Sequence, residues 1–253
     1  MKPDSLDQLR QDHHPDMISE RLNAPSKPQV LPDAVLGAID GCVTTFAVVS
    51  GAFGAGFSAS VALVLGFANL FADGFSMAVS NYEATKAQNE YIDTIKKLEA
   101  DHIDRVPEGE KEEIRQIFQQ KGFQGKILEK IVDTISQDKT LWIETMLTEE
   151  HGLQKNHSNC SVSALATFLA FITVGAMPLV PYLMSGLSLT TQFTASALIA
   201  MFMFFSIGLI KSLSLGKRQL ASGVKTLIMG SAAASIAFLT GFGLQHLFGI
   251  SMI

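Results

Sequence analysis

The sequence predicts an all-α, polytopic membrane protein with five transmembrane helices and a small cytosolic three-helix insert between spans two and three. Of its 253 residues, 47% are hydrophobic and only 17% are charged. The charges are confined to a few segments: residues 28–85 contain no Lys, Arg or His, and residues 156–210 contain no Asp, Glu, Lys or Arg. About 20 apolar residues cross a bilayer as a helix, so the uncharged runs are typical of membrane spans.

The first span contains two glycines one helical turn apart, Gly37 and Gly41, a spacing that lets a second helix approach closely. Ordinary helix packing explains these glycines as well as a functional role does. In the third span, Pro178 and Pro181 predict a kink or an early stop. The predicted spans are 31–57, one that starts near residue 60, 162–184, 193–210 and 226–248.

The chain divides by composition into four parts. A polar, proline-containing segment, residues 1–30, has no apolar signal region and is expected to be a flexible cytosolic tail. The other parts are membrane helices 1 and 2 (31–86), the insert (87–157) and membrane helices 3 to 5 (158–253). In the insert we expect the second span to continue to about Asp104, followed by three short helices that pack around Trp142.

Lys and Arg set the predicted orientation. Four precede the first span, eleven lie between spans two and three, and four lie between spans four and five. By the positive-inside rule the N-terminus and the insert are cytosolic and the C-terminus is outside. Five spans form a thin bundle, which favours a homodimer in the bilayer. The net charge of −5 gives no support for nucleic-acid binding, and two cysteines do not suggest a disulfide framework.

A polar face runs along the second span. Asn69, Asp73, Met77 and Asn81 follow one another at intervals of four residues and so share one side of a helix. A carboxylate in the hydrocarbon layer costs about 2.5–3.5 kcal/mol, so it normally faces a cavity or a partner. We interpret this face as the lining of a metal-ion path. A polar helix–helix interface is the alternative.

The first span adds Asp40 and, one turn later, Thr44. Carboxylate and amide oxygens suit hard divalent cations, and the thioether of Met77 shifts the preference towards borderline metals such as Fe²⁺. A carboxyl group that loses its proton when it binds metal would couple proton flux to metal flux. The sequence has no HExxH motif or Ser–His arrangement, so an intramembrane hydrolase is disfavoured and we expect neither an enzyme nor a tightly bound cofactor.

The insert offers a second set of ligands, in pairs that share a helical face. These pairs are Glu99 with His102, Glu110 with Glu113, and Met146 with Glu150. Pairs that converge from several helices are how helical bundles build metal sites. The alternative is a set of solvated, charged helix faces, for which other acidic residues are equally available: Asp101, Glu108, Glu112 and Glu149.

Two membrane motifs, DGCVTTFAVVSG from Asp40 and ANLFADGFSMAVSNY from Ala68, together with a helical insert of this size, resemble the vacuolar iron transporter family, including its bacterial members. The resemblance covers nearly all of the chain after residue 30. It implies a five-span homodimer, in a bacterial inner membrane for a member of this type. Such a dimer moves Fe²⁺, and often Mn²⁺, out of the cytosol in exchange for protons, along a path at the dimer interface.

The resemblance also implies residue roles. The membrane aspartate and methionine of the family match Asp40 and Met77. Its insert ligands match Glu99, Glu110, Glu113, Met146 and Glu150. The chain departs from the pattern at three positions. Asn69 replaces a membrane glutamate, with Asp73 one turn further on. His102 replaces an insert glutamate, and Leu147 replaces a second methionine.

A non-transporting membrane protein whose insert senses metal or docks a partner is the alternative function.

Overall fold

The computed structural model describes residues 6–24, 30–155, 157–215 and 219–249, and every regular element in these ranges is a helix. The predicted all-α class is confirmed. The helices are α1 Leu6–Asp12, α2 Pro15–Asn23, α3 Leu31–Gly54, α4 Ala59–Arg105, α5 Pro107–Gln120, α6 Gly125–Ser136, α7 Lys139–Glu149, α8 Cys160–Gly175, a 3₁₀ helix Met177–Leu183, α9 Leu189–Leu215 and α10 Gln219–Phe248.

Five helical segments are long and apolar enough to cross a membrane, as the sequence predicts. They are Leu31–Gly54, Ala59–Arg105, Cys160–Leu183, Leu189–Ser212 and Gln219–Phe248. α9 and α10 extend beyond the predicted spans 193–210 and 226–248, because polar and basic residues end the apolar run without ending the backbone hydrogen bonding of the helix. α3 instead ends at Gly54, short of the predicted residue 57. α8 stops at Gly175, and the prolines that follow are accommodated in the 3₁₀ helix.

The chain forms two compact units. The first, which we name the membrane unit, comprises residues 1–81 and 161–253. In its core α3 packs against α9, α10 and the 3₁₀ helix. A Cβ atom built on Gly37 would lie 2.2 Å from the carbonyl oxygen of Thr167, and one on Gly41 would lie 2.4 Å from that of Phe171. The two glycines therefore allow the backbones of α3 and α8 to touch.

The second unit, which we name the insert unit, comprises residues 82–160. It contains the C-terminal half of α4 together with α5, α6 and α7. α6 is strongly amphipathic and buries Leu128, Val132 and Ile135. Trp142 lies in the hydrophobic core, as the sequence predicts. The carboxylate of Asp138 caps α7 by accepting hydrogen bonds from the N–H groups of Thr140 and Leu141.

The N-terminal segment, expected as a flexible tail, contains the short helices α1 and α2, neither of which has a buried residue. Residues 1–5 and 25–29 of this predicted tail lie outside the described residues. The same is true of residues 216–218 in the predicted basic connection and of residues 250–253 at the predicted external C-terminus.

Candidate functional site

The membrane unit presents its predicted ligands on α3 and α4. Asp40, Thr44, Asn69, Asp73 and Met77 are all half-buried. Asp40 and Asp73 lie close enough for their charges to repel each other. Two neighbouring, half-buried carboxylates are a natural binding site for a divalent cation, because the cation removes both the repulsion and the cost of burying the charge.

The other predicted donors of this site differ in their hydrogen bonding and packing. The hydroxyl of Thr44 donates to the backbone oxygen of Asp40, 2.9 Å away, so it is committed to its own helix. The side-chain nitrogen of Asn69 is buried and has no hydrogen-bond partner among the described residues. Met77 packs against the hydrophobic core of the unit. A direct role as a cation ligand in this site stays a prediction for all of these residues.

Asn81, the last residue of the polar face on α4, has a different environment. Its side-chain nitrogen lies 3.0 Å from Oδ1 of Asp33, 2.7 Å from Oγ1 of Thr167 and 3.3 Å from the carbonyl oxygen of Ser163. Asn81 therefore ties α4 to α3 and α8. This network fits the structural alternative, a polar helix–helix interface, better than it fits a metal ligand.

In the insert unit, α4 and α5 bring two buried glutamates close together. Glu99 is 2% exposed and Glu110 is 3% exposed. Nδ1 of His102 lies 3.4 Å from Oε1 of Glu110. One ligand atom from each of Glu99, His102 and Glu110 can be chosen so that all three lie within 4.8 Å of one another. Oε2 of each glutamate is buried without a hydrogen-bond partner among the described residues.

A residue that the sequence analysis did not select, His151, joins this cluster. Nε2 of His151 lies 3.0 Å from Oε1 of Glu99 and 3.7 Å from Oε2 of Glu150. Glu99, Glu150 and His151 form a second triad whose ligand atoms lie within 4.8 Å of one another. The sequence offered one signal for His151, its position next to the predicted ligand Glu150. Helical spacing did not select it, because no predicted ligand lies three or four residues away.

Ion pairing separates the candidate ligands from the other acidic residues of the insert unit. Four other acidic residues of the insert were equally available as ligands by sequence alone. Each of them forms an ion pair with a basic side chain: Asp101 with Arg105, Glu108 with Lys111, Glu112 with Arg115, and Glu149 with Lys121. In the described ion pairs, by contrast, Glu99, Glu110 and Glu150 contact only histidines.

The electrostatics of the cluster follow first from burial, and then from carboxylates that have no basic partner other than histidine in the described ion pairs. Burial, with added repulsion from Glu113 and Glu99, raises the pKa of Glu110 to about 7. Burial also raises the pKa of Glu150, although the neighbouring His151 opposes that shift. A divalent cation would relieve the repulsion and stabilise the charged carboxylates, so the cluster is chemically suited to bind metal in competition with protons.

The two remaining insert candidates lie at the edges of the cluster. Glu113 is exposed, yet it is near enough to act electrostatically on both Glu110 and Glu150. Met146 is fully buried in the hydrophobic core of the insert unit. Its thioether is a ligand that suits borderline metals, and its role as a ligand stays a prediction.

Comparison with known proteins adds independent information. The sequence profile of the VIT family matches residues 31–242, which is most of the chain. The chain is 29% identical over 219 residues to vacuolar iron transporter 1 of Arabidopsis thaliana, an alignment that covers 86% of this chain and 87% of that protein.

Two further relatives show the same extent of similarity. The chain is 28% identical over 221 residues to the vacuolar iron transporter of Plasmodium falciparum, covering 84% of this chain and 81% of that protein. It is 29% identical over 211 residues to vacuolar iron transporter 1 of Oryza sativa subsp. japonica, covering 83% of each. The similarity therefore includes both the membrane helices and the insert.

Proposed function

The chain belongs to the VIT family, and on that premise we propose that it transports divalent metal ions, with Fe²⁺ as the main cargo and Mn²⁺ as a second. Its relatives named vacuolar iron transporter match more than four-fifths of the chain, and it is an integral membrane protein with five spans. Transport is directed out of the cytosol and is coupled to protons moving the opposite way, through a homodimer.

The observation that carries this proposal is the pair of interacting carboxylates, Asp40 on α3 and Asp73 on α4. Neither has a basic partner among the described ion pairs. Two ionised carboxylates in the membrane unit raise the free energy of the protein when no cation is bound to them. A transported cation, or a proton on one carboxylate, removes that unfavourable interaction. Alternate occupancy by metal and by protons gives the exchange mechanism.

In this proposal the insert unit collects metal on the cytosolic side. Glu99, His102 and Glu110 form its buried centre, with Glu113, Met146 and Glu150 around them. Its acidic groups lower the electrostatic potential locally and so concentrate cations. The two sites then divide the work: the insert unit captures the ion, and the membrane unit moves it.

The direct test is Fe²⁺ flux in proteoliposomes that contain the full-length protein. Asp40→Asn keeps the size of the side chain and removes its charge, so we expect flux to fall to that of protein-free vesicles. Ser50→Ala is the matched control, since Ser50 is a buried residue of the same helix whose hydroxyl has no hydrogen-bond partner among the described residues. It should transport normally.

Normal flux in Asp40→Asn would remove Asp40 from the ion path. No metal-dependent flux in the wild type, with intact insert binding, would instead favour the alternative of a metal-sensing membrane protein.

A further inference from the structure

The side-chain amide of Asn81 joins three helices of the membrane unit. Its nitrogen lies 3.0 Å from Oδ1 of Asp33 on α3 and 2.7 Å from Oγ1 of Thr167 on α8, with the carbonyl oxygen of Ser163 at 3.3 Å. An ionised carboxylate and a carbonyl can only accept hydrogen bonds, so the atom of Asn81 that faces them must be the amide nitrogen. Thr167 is fully buried, and its hydroxyl can donate to the carbonyl of Ser163, 3.1 Å away, while it accepts from Asn81. Both hydrogens of the amide group therefore have acceptors.

The same two helices, α3 and α4, carry the acidic pair of the membrane unit. They are joined by four residues, 55–58, and run antiparallel. Asp40 lies seven residues after Asp33, and Asp73 lies eight residues before Asn81. Each separation is about two helical turns, or roughly 11 Å along the axis. The contact between Asp33 and Asn81 therefore brings Asp73 to the level of Asp40, in agreement with the electrostatic interaction between these two acids.

The glycine contacts fix the axial position of α4 less firmly than that of α3. The backbones of α3 and α8 touch, since a Cβ atom built on Gly37 would lie 2.2 Å from the carbonyl oxygen of Thr167. The glycines of α4, Gly66 and Gly74, instead face the ends of side chains, which can move aside. Inside a bilayer the hydrophobic effect does not drive helices together, so hydrogen bonds and close packing decide their arrangement. The bonds of Asn81 supply a directional contact that holds α4 in place along α3.

We propose that Asn81 is a positioning residue for transport, whose amide fixes the axial register of α4 against α3 and so keeps Asp73 level with Asp40. This inference rests on the proposed role of the two acids as the ion-binding pair, and it adds the residue that aligns them. Alignment matters because two carboxylates hold one divalent cation only when both can reach it. Loss of an outer hydrogen bond that orients metal ligands typically lowers metal affinity by about 10–100-fold.

The first test measures the register itself and needs no transport. In a Cys160→Ser background that also carries Asp40→Cys and Asp73→Cys, a short bifunctional thiol reagent is applied to the full-length protein in proteoliposomes. Mass spectrometry then gives the yield of the cross-link within one chain. Asn81→Asp sets a second carboxylate against Asp33 and should lower this yield several-fold.

Two further variants show whether the hydrogen bond is responsible. Asp33→Asn should keep the parental yield, because its amide oxygen still accepts from Asn81. The double variant Asp33→Asn with Asn81→Asp should restore the yield that Asn81→Asp loses, since the donor and the carboxylate have exchanged places across the same contact.

The second test is the kinetics of Fe²⁺ flux in proteoliposomes. A displaced Asp73 weakens ion binding, so Asn81→Asp should raise KM by at least about tenfold. An added carboxylate that acted only by attracting cations would lower KM instead, and a loss of folded protein would lower the maximal rate at unchanged KM. Gln88→Glu is the matched control, because it adds the same charge at an exposed position of α4. It should keep the wild-type KM.

Thr167→Val provides a second route should Asn81→Asp fail to fold. Valine keeps the size of the side chain and removes one acceptor of the Asn81 amide, so the cross-link yield should fall and KM should rise, each by less than in Asn81→Asp. Thr173→Val is its control on the same helix, because the hydroxyl of Thr173 is exposed and donates to the carbonyl oxygen of Leu169 in its own helix, 2.6 Å away. It should match the parent in both measurements.

The outcomes separate this inference from the proposal on which it rests. Equal cross-link yields in Asn81→Asp and its parent, or a double variant that does not regain the lost yield, would overturn the positioning role. An unchanged KM in Asn81→Asp would overturn it as well. If the cross-link yields change as expected while the wild type shows no metal-dependent flux, Asn81 does set the register and the proposed transport function is wrong.

Discussion

The carboxyl group of Glu110 shows how a single residue can be unfavourable for the fold and useful for the site. It is 3% exposed, and one of its oxygens has no partner among the described residues. Burial and the neighbouring carboxylates raise its pKa to about 7. In the folded protein without metal, this group is therefore charged less readily than in the unfolded chain.

The stability of the metal-free insert unit should depend on pH for this reason. Since the pKa of Glu110 is raised on folding, stability is highest below the ordinary glutamate range and declines as pH rises through about 7. The loss is on the order of 3 kcal/mol over that window. In the presence of a chelator, thermal unfolding monitored by Trp142 fluorescence should move to lower temperature between pH 5 and pH 8.

Glu110→Gln should flatten this pH dependence, because the amide is never charged. Glu108→Gln is the control on the same helix: Glu108 is exposed and paired with Lys111, so its variant should keep the wild-type slope. Equal slopes in the wild type and Glu110→Gln would show that Glu110 is ionised in the metal-free fold without penalty.

At the scale of elements, the close contact between α3 and α8 positions Asp40. Gly41 follows Asp40 directly, and a Cβ atom at position 41 would lie 2.4 Å from the carbonyl oxygen of Phe171. Backbone atoms cannot move aside as the end of a flexible side chain can. Gly41→Ala must therefore separate the two helices, at a cost of about 1–3 kcal/mol.

Cys42 provides a reporter for this prediction. It is fully buried, and the chain has one other cysteine, Cys160. In a Cys160→Ser background, a thiol-reactive fluorophore should label Cys42 at lower temperature in Gly41→Ala than in the parent. Gly243→Ala on α10 is the control, since a Cβ atom built there meets no described residue within 4 Å outside its own stretch of helix. Identical labelling curves for the two glycine variants would contradict tight α3–α8 packing at this position.

At the scale of the whole molecule, transport should respond to a proton gradient. With the insert unit facing the outer medium, an acidic vesicle interior should accelerate Fe²⁺ uptake, because protons leaving the vesicle exchange for metal entering it. An ionophore that collapses the pH gradient should reduce uptake to the rate of vesicles without a gradient. Uptake that is indifferent to the gradient would argue for transport without proton exchange.

The number of membrane spans and the helical class could be predicted because they depend on local properties of the chain. Uncharged apolar runs identified the five spans, since the bilayer requires about 20 apolar residues per helix. Helix ends were less predictable: α10 begins at Gln219, ahead of the predicted span at 226, because the helix continues through the polar residues around Lys225.

Helical spacing predicted the site residues that share a face of one helix. Spacing placed Glu99 with His102 on one face and Asp73 on the polar face of α4. His151 was missed because no predicted ligand lies three or four residues from it along the chain; it follows the end of α7 at Glu149. A turn follows in which Gly152 takes a φ of +64° and the N–H of Leu153 bonds to the carbonyl of Leu147. Spacing along a helix carries no information about such a turn.

The sequence by itself determined that this chain is helical, spans a membrane five times and carries acidic residues where acids are costly, because hydrophobic run length and the cost of burying charge are properties of local sequence. Only the tertiary structure decided which acids lack a basic partner. Glu99 and Glu110 contact histidines, whereas Glu108 and Glu112 contact Lys111 and Arg115. That distinction depends on distances of a few ångströms between separate helices, and those distances are fixed by packing.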